Sequence, residues 1–292
     1  MVSVTQLIRS VAQAKQVQQF IVEKDYALSY LLATINATDG LSENLVLKGG
    51  TALRKLYFAD YRFSEDLDYS TRFMGAIEEM DALMNAVVFQ MGDLLNQRGP
   101  FQVTSEKLTL RDPHPGEQAA YVFRVQFPGQ RQPLCHLKVE ITVDEPILLP
   151  VEKRSLLHGF AEELDVTIPV YALGEITAEK LRALLQSKAR LQEKGWGASR
   201  VCRDYYDLWH LLQFPGVRAS SLIPVLDQKC AVRGIAYGSP RDFVAEELFS
   251  VARKEWSNQL LPFIANAPAV TEVLPQVNAL ILAIWETSSS FE

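Results

Sequence analysis

The sequence predicts an α+β fold in its first half and a helical fold in its second. Up to about residue 172, short apolar or alternating segments lie between turn residues, a pattern typical of strands mixed with helices. Beyond that point apolar residues recur at helical spacing, and proline and glycine occupy the gaps. A length of 292 residues fits one large domain or two moderate ones. We therefore predict an α+β domain over residues 1–172 and a helical domain over residues 173–292.

Local patterns predict the individual elements of the first domain. Helical spacing predicts helices over residues 16–35, 51–58 and 74–96. Short apolar or alternating runs predict strands over residues 44–47, 62–70, 101–110, 120–127 and 134–143. The segment Asp112-Pro113-His114-Pro115-Gly116 has strong turn chemistry and predicts the connection between two antiparallel strands. In the second domain, helices are expected over residues 175–192, 199–212, 220–229, 240–260 and 270–287.

Composition and charge exclude several classes of protein. The apolar fraction of 48% and the charged fraction of 22% are those of an ordinary globular protein. We expect no membrane span and no signal peptide, because no apolar run reaches about 18 residues and the N-terminus lacks an apolar core. Three scattered cysteines without a CxxC pair fit a reducing cytoplasm, and the four histidines lack metal-ligand spacing. A net charge of −6 argues against a large nucleic-acid footprint, although a local basic cleft is compatible with it.

A predicted strand that ends in two glycines before a helix suggests a phosphate site. Gly49 and Gly50 let the backbone approach a ligand closely, and free N–H groups at the start of the helix suit an anion. Thr51 either caps that helix or donates its hydroxyl to the same phosphate. Lys48 and Arg54 add positive charge close by.

The run Ser64-Glu65-Asp66-Leu67-Asp68 suggests a metal site on the next strand. Residues i and i+2 of a strand share a face, so Asp66 and Asp68 point the same way and Leu67 points into the core. Two adjacent carboxylates repel each other unless a cation lies between them, and Mg²⁺ bound to nucleotide phosphates meets that need. Glu140, in an otherwise apolar strand, is the candidate for a third ligand, with Asp144 and Glu145 as the alternative. Taken singly, a Gly-Gly pair is usually a turn and an Asp-x-Asp is usually a solvated strand end, so it is the combination that is specific.

The stretch LVLKGGTALRKLYFADYRFSEDLDYS resembles the AbiEii/AbiGii family of toxin nucleotidyltransferases, members of the DNA polymerase β-like nucleotidyltransferase superfamily. The segment Ile21-Val22-Glu23-Lys24-Asp25-Tyr26 is similar to the N-terminal segment of that family. Further along, ITAEKLRAL (residues 176–184) and Arg203-Asp204-Tyr205-Tyr206-Asp207-Leu208 resemble two downstream motifs of the family. The resemblance covers residues 16–212, whereas the helices after Gln213 carry no recognisable motif. It implies a nucleotidyltransferase-like mixed sheet with flanking helices, followed by a helical half that completes the active-site cleft.

The resemblance also implies roles for single residues. Asp66 and Asp68 would bind Mg²⁺ or Mn²⁺, and Ser64 would help to place the nucleotide phosphates, with Gly49, Gly50 and Thr51 as the phosphate turn. Lys180 would contact the triphosphate, and Asp204 would act in the downstream catalytic motif. Two departures are the 15 residues between Gly50 and Asp66, a longer gap than the superfamily pattern, and a glutamate at position 140 where many relatives have aspartate. The plainer alternative for the downstream motif is a set of i,i+4 ion pairs, Arg200 with Asp204 and Arg203 with Asp207.

The sequence therefore predicts a Mg²⁺-dependent toxin that transfers a nucleoside monophosphate from an NTP to an acceptor hydroxyl. The acceptor implied by the resemblance is an RNA 3′ end, tRNA among them, or a protein hydroxyl, and a cognate antitoxin is the implied partner. A non-enzymatic nucleotide-binding protein is the main alternative. A phosphotransferase or nuclease that uses the same metal site is a third class.

Overall fold

The computed structural model describes residues 3–72, 79–109, 118–217 and 219–288. The chain divides into two compact units, Met1–Tyr171 and Ala172–Glu292. The first unit is built on a mixed β-sheet with helices, and the second consists of helices, so the fold class predicted from the sequence is confirmed. The turn predicted over residues 112–116 lies outside the described residues.

The first unit begins with two helices and a strand that leads into a short helix. These elements are α1 (Val4–Lys15), α2 (Gln19–Ala37), β1 (Leu45–Lys48) and α3 (Gly49–Ala52), and α3 continues into a π-helical turn over Leu53–Tyr57. After them come β2 (Asp66–Thr71), α4 (Met80–Asn96), β3 (Gln102–Lys107), β4 (Gln118–Gln126), β5 (Cys135–Thr142), β6 (Glu152–Ser155) and β7 (Thr167–Val170). Helix α1 had no counterpart in the sequence prediction, although the capping box between Ser3 and Gln6 at its start is a signal for it. The strand predicted over residues 62–70 begins four residues later, at Asp66.

In the described part of the chain the sheet has seven strands in the order β3-β4-β5-β2-β1-β7-β6. Strand β2 runs antiparallel to β1 and parallel to β5, and β1 is also parallel to β7, so the sheet is mixed. Helix α2 is buried almost all round and packs beside β5, β7 and α4. Burying a Leu or Ile side chain fully contributes about 1.5–3 kcal/mol, so the leucine and isoleucine side chains of α2 give this face of the sheet a stable support.

The second unit contains five α-helices among its described residues: α5 (Leu173–Lys194), α6 (Val201–Leu211), α7 (Ala219–Val232), α8 (Glu246–Glu255) and α9 (Val270–Ser288). The single helix predicted over residues 240–260 is wrong. A 3₁₀ turn (Pro240–Val244) precedes α8 and a π-helical turn (Trp256–Leu260) follows it. Ser239 and Asp242 form a capping box, and Asp242 also pairs with Lys188 at 2.6 Å, so a separate short turn begins there and ends at extended Ala245.

Candidate active site

The central strands bring the predicted metal ligands onto one face of the sheet. Lys48 on β1 lies opposite Asp68 on β2, and Asp68 lies beside Glu140 on β5. Asp66 lies beside Lys138, one pleat earlier on the same pair of strands. Residues in register on neighbouring strands share a face, and so do residues two apart on one strand. These five side chains therefore form one charged surface, called here the β2 face.

The opposite face of the same strands is apolar, as the sequence predicts. Leu67 is 0% exposed and Tyr69 is 2% exposed, and their neighbours Val139 and Ile141 on β5 are also buried. Burial raises the pKa of Tyr69 well above its ordinary value, so this phenol stays neutral. The alternation of polar and buried residues fixes the register of β2, because a slip of one residue would bury both aspartates.

The two glycines are required because motif side chains occupy the space around them. Gly49 has φ of +75°, and a Cβ atom there would lie 2.6 Å from Oδ2 of Asp68. A Cβ atom at Gly50 would lie 2.7 Å from the guanidinium of Arg62 and 3.2 Å from Oγ of Ser64. The turn thus closes on Ser64 and Asp68, and the residues assigned to phosphate and metal binding are neighbours in space.

Thr51 connects the glycine turn to the carboxylate strand. Its side chain is fully buried, and its hydroxyl donates a hydrogen bond to the backbone carbonyl of Asp66. In this structure the hydroxyl does not act as an N-cap, since the N-cap position is held by Lys48 without a side-chain bond. The contact of Thr51 with a phosphate stays a prediction.

Arg54 and its neighbour Lys55 both contact the carboxylate of Asp25 on α2. Nζ of Lys55 lies 2.8 Å from Oδ2 of Asp25, and Nε of Arg54 donates to Oδ1 of the same carboxylate at 3.3 Å. Arg54 also donates to the backbone carbonyl of Tyr61 at 2.8 Å. Burial lowers the pKa of Lys55 to about 8, although the Asp25 carboxylate opposes the shift. These contacts give Arg54 a structural function, and its contact with a nucleotide stays a prediction.

The same helix also supports the carboxylate strand. Lys24 forms an ion pair at 3.0 Å with Glu65, the residue directly before Asp66. Lys24 and Asp25 belong to the segment over residues 21–26 that is similar to the N-terminal segment of the family. The structure supplies the physical reason for that segment: it ties α2 to the helix after the glycine turn and to the start of β2. Sequence reasoning gave Asp25 no role, because its partners are 29 and 30 residues away along the chain.

Glu140 lies where the sequence prediction placed it, but its carboxylate has a partner. Oε1 of Glu140 lies 2.8 Å from Nζ of Lys138, and the two side chains are 26% and 37% exposed. Across residues 3–72, 79–109, 118–217 and 219–288, no group of three or more His, Cys, Asp or Glu side chains is arranged to hold a metal ion. Of the alternative ligands, Glu145 is buried at 2% exposure. The carboxylates of Asp66 and Asp68 are hard oxygen donors of the kind that a divalent cation takes, and metal binding by this pair, with or without a third ligand, stays a prediction.

In the second unit, Lys180 joins the two aspartates of the downstream motif. Nζ of Lys180 lies 2.7 Å from Oδ1 of Asp204 and 2.9 Å from Oδ2 of Asp207. The side chains of Lys180 and Asp204 are each 15% exposed, whereas Asp207 is fully buried. The motif residues of α5 and α6 are thus brought together, while the ion pairs predicted along α6, Arg200 with Asp204 and Arg203 with Asp207, stay a prediction. Arg203 donates to the backbone carbonyl of Gln259 at 2.6 Å and stacks over Phe263.

A second lysine in this unit, Lys229, forms a buried ion pair that connects two helices. Lys229 of α7 and Glu175 of α5 are both fully buried, with Nζ and Oε1 2.8 Å apart. Glu179 is a further partner of Lys229 at 3.3 Å. This cluster locks α7 onto α5, and nothing in the sequence pattern indicated it.

Comparison with known proteins gives the family of the chain. The family model described as "Nucleotidyl transferase AbiEii toxin, Type IV TA system" matches residues 30–281, most of the chain. No curated protein matches the chain. The strand, glycine turn and paired aspartates thus belong to an enzyme of the nucleotidyltransferase class. Within that class, the chain belongs to the AbiEii family of toxins from toxin–antitoxin systems.

The family match and the residue-level resemblance differ in extent. The match begins after the segment over residues 21–26 and continues well past Gln213, through helices in which the sequence showed no motif. The family implies an NTP substrate and a cognate antitoxin, and nucleotidyltransferases generally use divalent metal ions. No helix among the described residues is both long and apolar enough to cross a membrane.

Proposed function

We propose that this enzyme transfers a nucleoside monophosphate from an NTP to the 3′ hydroxyl of an RNA, with tRNA as the first candidate. The observation that carries the proposal is the closure of the glycine turn on the β2 face, where Gly49 leaves room only for the carboxylate of Asp68. This arrangement supports the proposal, because the turn that would bind phosphate adjoins the carboxylate that would bind the metal ion. The reaction would take place in the cytoplasm, where NTPs and RNA are both available.

In the reaction, the acceptor oxygen forms a bond to the α-phosphorus and the bond between the α- and β-phosphates breaks, so pyrophosphate leaves. Asp66 and Asp68 would hold Mg²⁺ or Mn²⁺, which neutralises charge on the phosphates when it is bound. Lys48, Gly49, Gly50, Thr51 and Ser64 would hold the phosphates, with Arg54 as a further positive charge. The proton of the acceptor hydroxyl would pass to a carboxylate, either Asp66 or Glu140. Such transfer depends mainly on positioning and charge neutralisation, because it asks little covalent chemistry of the protein.

Two residues of the second unit complete the proposal. Lys180 would contact the triphosphate as a compact positive charge, and Asp204 would act in the downstream catalytic motif. Nζ of Lys180 and Oδ1 of Asp204 are 2.7 Å apart, which supports a common function for the two residues. Each side chain is also 15% exposed, so part of it is accessible to a ligand. The physiological partner would be the cognate antitoxin, encoded beside the toxin as in other systems of this type.

The test is an RNA-labelling assay with each α-³²P-labelled NTP, Mg²⁺ and total bacterial RNA. Wild type should label a discrete RNA band, and Asp66→Ala should reduce the label by at least about a thousandfold, as expected when a metal ligand is lost. Asp93→Ala removes an exposed carboxylate from α4 and should leave labelling unchanged. Label on a protein band would keep the chemistry and change the acceptor. NTP binding without any labelled product would favour the non-enzymatic alternative, and NDP or nucleoside monophosphate as the product would indicate a phosphotransferase or nuclease.

A further inference from the structure

The β2 face contains a lysine, Lys138, that has no function in the reaction proposed above. Lys138 lies in register beside Asp66, and its ammonium is 2.8 Å from the carboxylate of Glu140, the predicted third metal ligand. A lysine in the middle of an acidic surface is an unexpected choice if that surface exists to hold two divalent cations. Its side chain is 37% exposed and lies on the same face of the sheet as Asp66 and Asp68.

The charge of Lys138 opposes a second metal ion in two ways. Its ion pair occupies Glu140, which removes one of the oxygen donors that a second ion would need. Its own positive charge also repels a dication placed beside Asp66. At a separation of about 6 Å in a water-like medium this repulsion changes the affinity by roughly tenfold, and salt reduces the effect.

The sheet order indicates on which side of the site Lys138 lies. Strand β2 lies between β1, which ends in the glycine turn, and β5, which carries Lys138 and Glu140. If the phosphates lie on the glycine turn, the leaving pyrophosphate is on the β1 side of the aspartates. The β5 side then remains for the acceptor hydroxyl.

We propose that Lys138 replaces the acceptor-side metal ion, so that Asp66 and Asp68 hold a single divalent cation and Lys138 supplies the second positive charge. This inference rests on the proposed function and specifies which group supplies each positive charge. The ammonium lies beside the attacking oxygen, where it stabilises the negative charge that develops as the hydroxyl proton leaves. Glu140 positions that ammonium and does not bind metal.

Mn²⁺ binding to the full-length protein, measured by calorimetry without nucleotide, tests the metal side of the proposal. Glu140→Gln removes one nearby negative charge and should weaken Mn²⁺ binding by about tenfold or less, whereas Asp66→Asn removes a ligand and should weaken it by more than about a hundredfold. Lys138→Gln should tighten Mn²⁺ binding by about three- to tenfold, because it removes the repulsion and frees Glu140. Lys153→Gln removes an exposed lysine from β6 and should have no effect.

The labelling assay tests the catalytic side and separates a positioning function from a structural one. Lys138→Gln should lower kcat by about ten- to a hundredfold with little change in KM for the NTP, and Lys138→Arg should recover most of the loss.

A Glu140→Gln variant that loses Mn²⁺ binding as Asp66→Asn does would overturn the inference and make Glu140 a metal ligand. So would a Lys138→Gln variant with wild-type Mn²⁺ affinity. Wild type that binds Mn²⁺ and shows these shifts but labels no RNA would contradict the proposed acceptor alone. Wild type that binds no Mn²⁺ would contradict both proposals.

Discussion

The β2 face and the lysine cluster of α5 and α6 both combine carboxylates with lysine, but the protein holds them in different ways. On the β2 face, backbone register fixes the positions of Asp66, Asp68 and Glu140, and their side chains are partly accessible to solvent. In the α5–α6 cluster, Lys180 is held by the side chains of Asp204 and Asp207 themselves. The first arrangement survives the loss of one side chain, because the sheet stays in place. The second depends on its charges, and most of all on the fully buried carboxylate of Asp207.

This difference separates stability from chemistry in the two regions. A change on the β2 face should lower activity with little effect on folding, since the carboxylates point away from the core. A change at Asp207 should lower stability, because a fully buried carboxylate neutralises a lysine that is only 15% exposed. Asp204 lies between the two cases, with the same partner but greater exposure.

The largest expected effect is that of Asp207→Asn. The substitution removes a fully buried negative charge that pairs with Lys180 at 2.9 Å, and we expect a loss of about 2–4 kcal/mol in the free energy of unfolding. Asp204→Asn keeps the fully buried partner and should cost less, about 1–2 kcal/mol, while transfer activity falls strongly. Urea denaturation of both variants beside wild type measures the difference. Equal losses of stability in the two variants would show that burial does not distinguish the two aspartates.

The next effect concerns the glycine turn. Gly49→Ala introduces a Cβ atom 2.6 Å from Oδ2 of Asp68 at a φ of +75° and should destabilise the protein by about 1–3 kcal/mol. The transfer rate should fall at least about a hundredfold, because the displaced atom belongs to the metal-binding carboxylate. Gly159→Ala is the matched control, with a φ of +77° and no atom within 4 Å of the new Cβ. It carries the same backbone strain without the clash, so it should lower the melting temperature and leave the rate intact. If both variants lose activity equally, strain and not the clash is responsible.

The smallest effect concerns the acid sensitivity of the first unit. His158 is buried among aromatic rings of Tyr26, Tyr30 and Phe160, and its ring nitrogens have no hydrogen-bond partner. Burial, assisted by the nearby Lys55 charge, lowers the pKa of His158 to about 4. Its folded-state pKa lies below the unfolded value of about 6.5, so protonation favours unfolding. Stability should therefore be full above pH 6.5 and decline by about 1–3 kcal/mol as the pH falls to about 4.

Hydrogen exchange at a series of pH values measures this effect separately in each unit. Peptides from α2 should lose protection between about pH 6.5 and 4, and His158→Phe should reduce that loss because it removes the titrating group. Glu162 has a lowered pKa despite its burial, because Tyr26 and Tyr30 donate hydrogen bonds to it. It adds a loss at still lower pH. An unchanged pH profile in His158→Phe would show that another group controls acid unfolding.

Local features of the sequence determined much of the β2 face. The two glycines, the Asp-x-Asp spacing and the buried residues between them follow from φ preferences and from the period of two in a strand, which depend on near neighbours only. The α+β fold class and most helices of the second unit were also predicted correctly, because hydrophobic periodicity is a local property. The family resemblance reached Lys180 and Asp204 through motifs rather than through geometry.

Tertiary structure decided what those residues contact. Lys138 and Glu140 lie beside Asp66 and Asp68 only because β5 pairs with β2 in the sheet. Asp25 forms an ion pair with Lys55 only because α2 packs against the segment that follows the glycine turn. Strand β7 is four residues long and contains Pro169, so local propensity argues against it. Its parallel pairing with β1 and antiparallel pairing with β6 form it nonetheless. The sequence alone determined the glycine turn, the spacing of the aspartates and the apolar periodicity. The partners of each charge were decided by contacts between segments far apart in the chain. Those contacts depend on the free energy of the whole packed sheet, which no local pattern encodes.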